Sequence, residues 1–166
     1  MFGLEDLRDI SREEVAVVAS GIVSMGLEII AGRVIAPEYG STIYTWGSIL
    51  GISMLALSLG YHYGGKKASS IGMKDLETFL IYTSGYILFV MYFGEILLQA
   101  SSAIPVPAIY APIIPVTVLF APPTYFLGYI SHYAAQLSSK ESKGEASGHF
   151  YAIGTAGSIL GAFGTT

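Results

Sequence analysis

Three stretches of this 166-residue chain carry no Lys, Arg, Asp or Glu: residues 39–65, 96–139 and 146–166. Apolar, uncharged runs longer than about 18 residues are the mark of helices that cross a bilayer. Lipid offers no partner to a free backbone amide, so each crossing run must satisfy its own hydrogen bonds within a helix. A membrane β-barrel would need alternating apolar and polar residues, and the runs here are continuous. Composition agrees with this reading. Charged residues make up 12% of the chain, about half the ~25% of a soluble domain, and the mean hydropathy is +0.59. The expected fold is an all-α, polytopic membrane helix bundle, multi-pass in the cell membrane, with the lipid bilayer as its first partner.

Five spans are expected, at about residues 15–36, 42–63, 78–100, 112–137 and 149–166. Pro37 is expected to close the first, and Gly64 with Gly65 the second. Residues 1–14 read as an amphipathic cytoplasmic lead-in, with Phe2, Leu4, Leu7 and Ile10 as its apolar stripe. Ser11 followed by Glu14 fits a capping box that opens the first helix. No cleavable signal is visible, so the first span is expected to stay attached. Orientation follows from Arg8, Arg12, Lys66, Lys67, Lys74, Lys140 and Lys143, which are seven of the eight basic residues and fall on one side under strict alternation. The positive-inside rule then puts the amino terminus in the cytoplasm.

An internal echo joins the second and fifth spans. Thr45–Gly51 reads TWGSILG and Thr155–Gly161 reads TAGSILG, on segments expected to cross in opposite directions. An inverted three-helix repeat would produce such a pair. Gly47 with Gly51, Gly60 with Gly64, and Gly157 with Gly161 are each four apart, so each pair lies on one helix face. Small-xxx-small faces of this kind let helix backbones approach closely in lipid.

Ionisable side chains within spans are costly, which makes each a candidate for function. Glu28 lies in the first span, Glu95 in the third, and Arg33 near the outer end of the first. Glu28 and Arg33 are five apart, about 140° around a helix, so they do not share a face. Arg33 is expected to pair with Glu38 or, across helices, with Glu95. Two carboxylates near one another would let protonation alternate with cation binding, while Tyr44, Trp46 and Tyr92 offer ring faces to an ammonium group. The competing reading makes one Glu a structural partner of Arg33 and sends the other to the interface. Pro122 and Pro123 remove two backbone donors from the fourth span and should bend or break it as a hinge. His62, His132 and His149 come from different helices at no ligand-like spacing, and with the other tyrosines they read as interfacial groups.

Other chemistries find little footing. There is no cysteine, hence no thiolate ligand or cysteine nucleophile, and the net charge of −4 gives no reason to expect nucleic acid. No catalytic motif, metal-ligand cluster or cofactor-binding pattern is present, so no enzyme activity, metal or cofactor is expected.

The segment Leu27–Lys67 brings together Glu28, Arg33 and Pro37 in an E-x-x-A-x-R-x-x-A-P block. Gly40, Ser41, Trp46 and Ser48 follow, and then Gly60, Gly64, Gly65 and Lys66 in a G-x-x-x-G-G-K ending. This resembles the membrane region of the fused major-facilitator/spermidine-synthase-like family. Residues 122–137 and 148–166 are similar to that family's fourth and fifth helices. The family's sixth helix and its glycine-rich synthase loop are not seen here. The resemblance implies a transporter-like module associated with polyamine-synthase-type proteins, binding or moving a small cation such as a polyamine or a proton. A membrane anchor for a soluble synthase-like partner and an oligomeric pore built from several copies are the alternatives.

Overall fold

The computed structural model describes residues 11–67, 73–138 and 145–166. The lead-in at residues 1–10 and the charged connection around Lys140 and Lys143 lie outside the described residues. Six helices are present among those described, and no strand. They are α1 (Arg12–Tyr39), α2 (Ile43–Lys67), α3 (Met73–Ser102), α4 (Ile113–Leu119), α5 (Ala121–Ser138) and α6 (Glu145–Thr165). Three are long and apolar enough to cross a membrane: Arg12–Tyr39, Ile43–Lys66 and Glu77–Ser102. A fourth crossing is obtained if α4 and the start of α5, bent by 49° at their junction, form one broken span. The expected count was five. Among the described residues α6 is not in this set.

Helix ends correct two expectations. The capping box forms: Glu14 N–H donates to Ser11 Oγ at 3.2 Å, and Ser11 N–H donates to Glu14 Oε2 at 2.8 Å. Pro37, however, does not close α1. Proline removes only the bond to the Arg33 carbonyl, and the helix continues to Tyr39. Gly40 ends it there, at φ +79°, donating its N–H to the Ala36 carbonyl at 2.8 Å. Gly64 and Gly65 do not close α2 either, since the helix runs on to Lys67. Gly64 serves packing instead. A Cβ there would meet the Tyr129 carbonyl oxygen at 2.5 Å.

The bundle is built on two glycine-sealed seams, α1 against α6 and α2 against α5, the most extensive helix contacts in the fold. On the first, Gly157 faces Val18 and Gly161 faces Ile22, both across bare backbone, while Gly154 meets Val17. Residue numbers rise together on both helices, so α1 and α6 are parallel. Gly60 lies against Tyr125 and Gly64 against Tyr129, which makes α2 and α5 parallel too. Trp46 on α2 covers Gly32 on α1, as expected of two helices folded back across a short connection. Two apolar clusters cap the bundle. One contains Ala16, Val17, Tyr129, Ile130, Tyr133 and Phe150. The other contains Ala31, Ile35, Ile49, Leu98, Val116, Leu119 and Phe120.

Two of the three glycine pairs thus sit in seams, and the third, Gly47 with Gly51, has open space where a Cβ would go. Gly161→Ala is therefore expected to destabilise the fold by about 1–3 kcal/mol, because the new methyl must displace backbone. Gly47→Ala should be neutral, or stabilise by up to ~1 kcal/mol through helix propensity. Thermal unfolding of the two variants in one detergent measures the contrast.

Candidate functional site

Between the two apolar clusters lies a cavity of about 530 Å³, bounded by α1, α2, α5 and α6. Its α1 wall is one helical face, formed by Val17, Ser20, Gly21, Ser24, Met25 and Glu28. Small residues oppose it on α6, where Gly154, Thr155 and Ser158 line the void. The seams hold the helices close, and small side chains facing one another leave the space. From Val17 to Glu28 the wall extends ~16 Å at the helical rise, so the cavity is a slot rather than a sphere.

Glu28 is half-buried at one end of this slot. Among the described residues no hydrogen bond or ion pair engages its carboxylate, and no Lys or Arg lines the cavity. Tyr61 on α2 lies within electrostatic range of both Glu28 and Tyr151. Its ring stacks on His132 of α5, with centroids 4.7 Å apart. The hydroxyls are oriented by their own helices. Ser20 Oγ donates to the Ala16 carbonyl at 2.7 Å, Thr155 Oγ1 to Tyr151 at 2.8 Å, and Ser158 Oγ to Gly154 at 3.2 Å. With their protons so committed, these oxygens turn lone pairs to any donor that enters. The lining combines one carboxylate, acceptor hydroxyls and aromatic faces, a set that suits a cation.

At the end of the slot away from Glu28, the lining passes from buried Phe150 to the adjacent, exposed Tyr151. Nearby, Glu14 Oε1 lies 2.9 Å from His149 Nε2. Glu14 therefore caps α1 with one oxygen and ties α1 to α6 with the other.

The six residues expected to form a cation site do not converge. Glu28 lines the cavity. Glu95 and Tyr92 are exposed on the outer face of α3, and Tyr44 is exposed near the start of α2. Trp46 lies over Gly32 and donates Nε1–H to Ser41 Oγ at 3.2 Å. Arg33 pairs with neither Glu38 nor Glu95. Its guanidinium donates to the Thr166 carbonyl at 2.9 Å, because the parallel packing of α6 on α1 brings that carbonyl alongside. The groups that do join Glu28 include Tyr61 and His132, which had read as interfacial. A signal for the slot was present in α1, where Ser20, Ser24 and Glu28 recur every four residues on one face. No group of His, Cys, Asp or Glu able to hold a metal ion occurs among the described residues.

A bend of 49° between α4 and α5 lies beside the prolines. Phe120 separates α4 from α5, directly before Ala121, Pro122 and Pro123. Pro122 has no N–H for the Val118 carbonyl four residues earlier, and the Tyr86 hydroxyl of α3 supplies the missing donor. The Phe120 carbonyl is held by both Thr124 N–H, at 3.2 Å, and Thr124 Oγ1, at 2.7 Å.

Comparison with protein-family models, with curated proteins and with solved structures gives no match.

The break yields a test. Tyr86→Phe leaves the Val118 carbonyl without its donor and is expected to cost about 1–3 kcal/mol. In a Pro122→Ala background the restored N–H can take that carbonyl, so the same Tyr86→Phe change should cost less. A double-mutant cycle by thermal unfolding reads the difference.

Proposed function

We propose that this chain is a transporter-like membrane module that binds a small cation at Glu28. The observation that carries the reading is an acidic side chain, within a helix apolar enough to cross a bilayer, that opens onto a slot and has no basic partner among the described residues. A carboxylate kept for structure would be neutralised by a fixed neighbour, since burying a lone charge is costly. Here the neutralising charge must arrive from outside, as a proton or as a ligand cation.

The layout suits such a role. One apolar cluster lies beyond the Glu28 end of the slot, and exposed Tyr151 lines the other end. The seams α1·α6 and α2·α5 exchange with one another if the first helix is matched to the broken α4–α5 span and the second to α6. Both seams are parallel, and both are sealed by glycine. That is the relation an inverted three-helix repeat imposes, and it agrees with the TWGSILG and TAGSILG echo. The resemblance of Leu27–Lys67 to the spermidine-synthase-associated family adds amines as the ligand class to try first, and the distribution of basic residues favours a cytoplasmic amino terminus.

Thermal unfolding of the purified protein in lipid tests the reading. A small amine or polyamine at 100 times its Kd should stabilise the chain by about 2.7 kcal/mol. Glu28→Gln should abolish that shift while leaving the unliganded protein as stable as before or more so. If amines, polyamines and inorganic monovalent cations all fail to shift unfolding at neutral and alkaline pH, the cation reading is overturned and the membrane-anchor alternative takes its place.

A further inference from the structure

Two charges outside the cavity have opposite sign, lie at the same level and do not meet. Glu95 is exposed on α3, the least buried of the candidate spans, among Met91, Tyr92 and Ile96 at 75%, 79% and 64% accessibility. Arg33 is exposed on α1, on the same open stripe as Val15, Ile22 and Ile30. Neither forms an ion pair within the described residues, and the Arg33 guanidinium has only the Thr166 carbonyl as acceptor. Their levels follow from a third contact. The Tyr39 hydroxyl of α1 is hydrogen-bonded to the Ser101 hydroxyl of α3, at 2.9 Å. Ile35 and Leu98 share the cluster just below it, so the two helices run parallel there. Six residues back from Tyr39 is Arg33, and six back from Ser101 is Glu95. Both lie ~9 Å from that contact along the helix axes.

We propose that the exposed sides of α1 and α3 together form a twofold interface between two copies of the chain, in which Arg33 of each copy pairs with Glu95 of the other. The proposal rests on the membrane reading of the helices and is independent of the cation site. A twofold axis along the bilayer normal preserves depth, so residues at one level on one copy meet residues at that same level on the second. Two groups of opposite charge at equal depth on adjoining helices then meet twice across the axis, giving two equivalent pairs. Lipid selects for this arrangement. A carboxylate facing hydrocarbon is strongly disfavoured and is too short to reach the headgroups as an arginine can. A guanidinium brought to it supplies a planar, two-pronged donor. The apolar side chains around each charge, Met91, Tyr92 and Ile96 on α3 and Ile22 and Ile30 on α1, provide the packing surface.

The chain has no cysteine, so the interface can be read by cross-linking in native membranes. Arg33→Cys and Glu95→Cys are placed singly in two differently tagged full-length copies, which are co-expressed and oxidised. A covalent dimer carrying both tags is expected. Met54→Cys, exposed on α2, should give none with either partner. Charge reversal provides the second arm. Arg33→Glu is expected to weaken dimerisation at least tenfold, measured by native mass analysis from lipid, and adding Glu95→Arg to the same chain should restore it. A membrane-inserted monomer in native lipid overturns the interface alone. So does an internal disulfide in the Arg33→Cys/Glu95→Cys double variant, which runs as a monomer. Recovery of the chain in the soluble fraction overturns both the interface and the membrane reading beneath it.

Discussion

Backbone laid directly on backbone is the contact on which the rest of this fold depends. Between two apolar helices in an apolar surrounding there is no hydrophobic gain from association, so close van der Waals approach has to supply the attraction. Gly157 and Gly161 allow it between α6 and α1, and Gly60 and Gly64 allow it between α2 and α5. Gly128 contributes from the other side, against the backbone of Leu57. These seams fix two parallel pairs of helices, and the slot lies between the pairs, with small residues on its α1 and α6 walls and mostly larger ones from α2 and α5. The tightness of the seams and the emptiness of the slot have one origin. The same small side chains that let helices touch along one line leave space along the next.

The break between α4 and α5 shows how the fold absorbs a local fault. Consecutive prolines strip donors from the helix, and an unpaired carbonyl in an apolar surrounding would be expensive. Tyr86 reaches across from α3 to one of them, and Thr124 doubles its hold on Phe120. Helix α3 is thereby tied to the break as well as to the cluster of Ile35, Leu98 and Leu119, although most of its surface is open. Beyond the break, Leu127, Ser131 and His132 of α5 line the slot while Gly128 meets α2.

Much of this was legible in the sequence, and what was not has identifiable causes. Continuous charge-free runs announce helices, because in lipid only a helix or a closed barrel satisfies its backbone and a barrel would need alternating residues. Ser11 with Glu14, and Pro122 with Pro123, act through neighbours within four residues, so cap and break follow from local chemistry. Helix ends were misjudged at Pro37 and at Gly64. A single missing N–H in a last turn is tolerated, and a glycine seated against Tyr129 is held helical by packing that sequence does not display. The partners of Arg33 and the wall around Glu28 depend on which helices are neighbours. Glu38 and Glu95 looked suitable for Arg33 because charge is visible in sequence, whereas the backbone carbonyl of Thr166 is not. Tyr61 and His132 had read as interfacial because only the parallel packing of α2 on α5 stacks them together. The four-residue recurrence of Ser20, Ser24 and Glu28 was the exception, a readable polar stripe on an otherwise apolar helix.

The electrostatics of the slot also limit what can occupy it. Glu28 is the sole carboxylate among the described lining residues, so one positive charge neutralises the site. Glu14 lies fourteen residues earlier on α1, ~21 Å away along the axis, and its oxygens already serve Ser11 and His149. A polycation could therefore seat only one end at Glu28, with its remaining charges facing hydroxyls and ring faces or projecting past Tyr151 into solvent. A monocation, or a proton exchanging with one, leaves no charge unanswered. Aromatic walls and acceptor oxygens favour an organic ammonium over a small metal ion, which would need several oxygens drawn in to its own radius. On the proposed reading, the number of acids in this slot would set how much charge it holds, and the spacing of hydroxyls along α1 and α6 would set the length of ligand it admits.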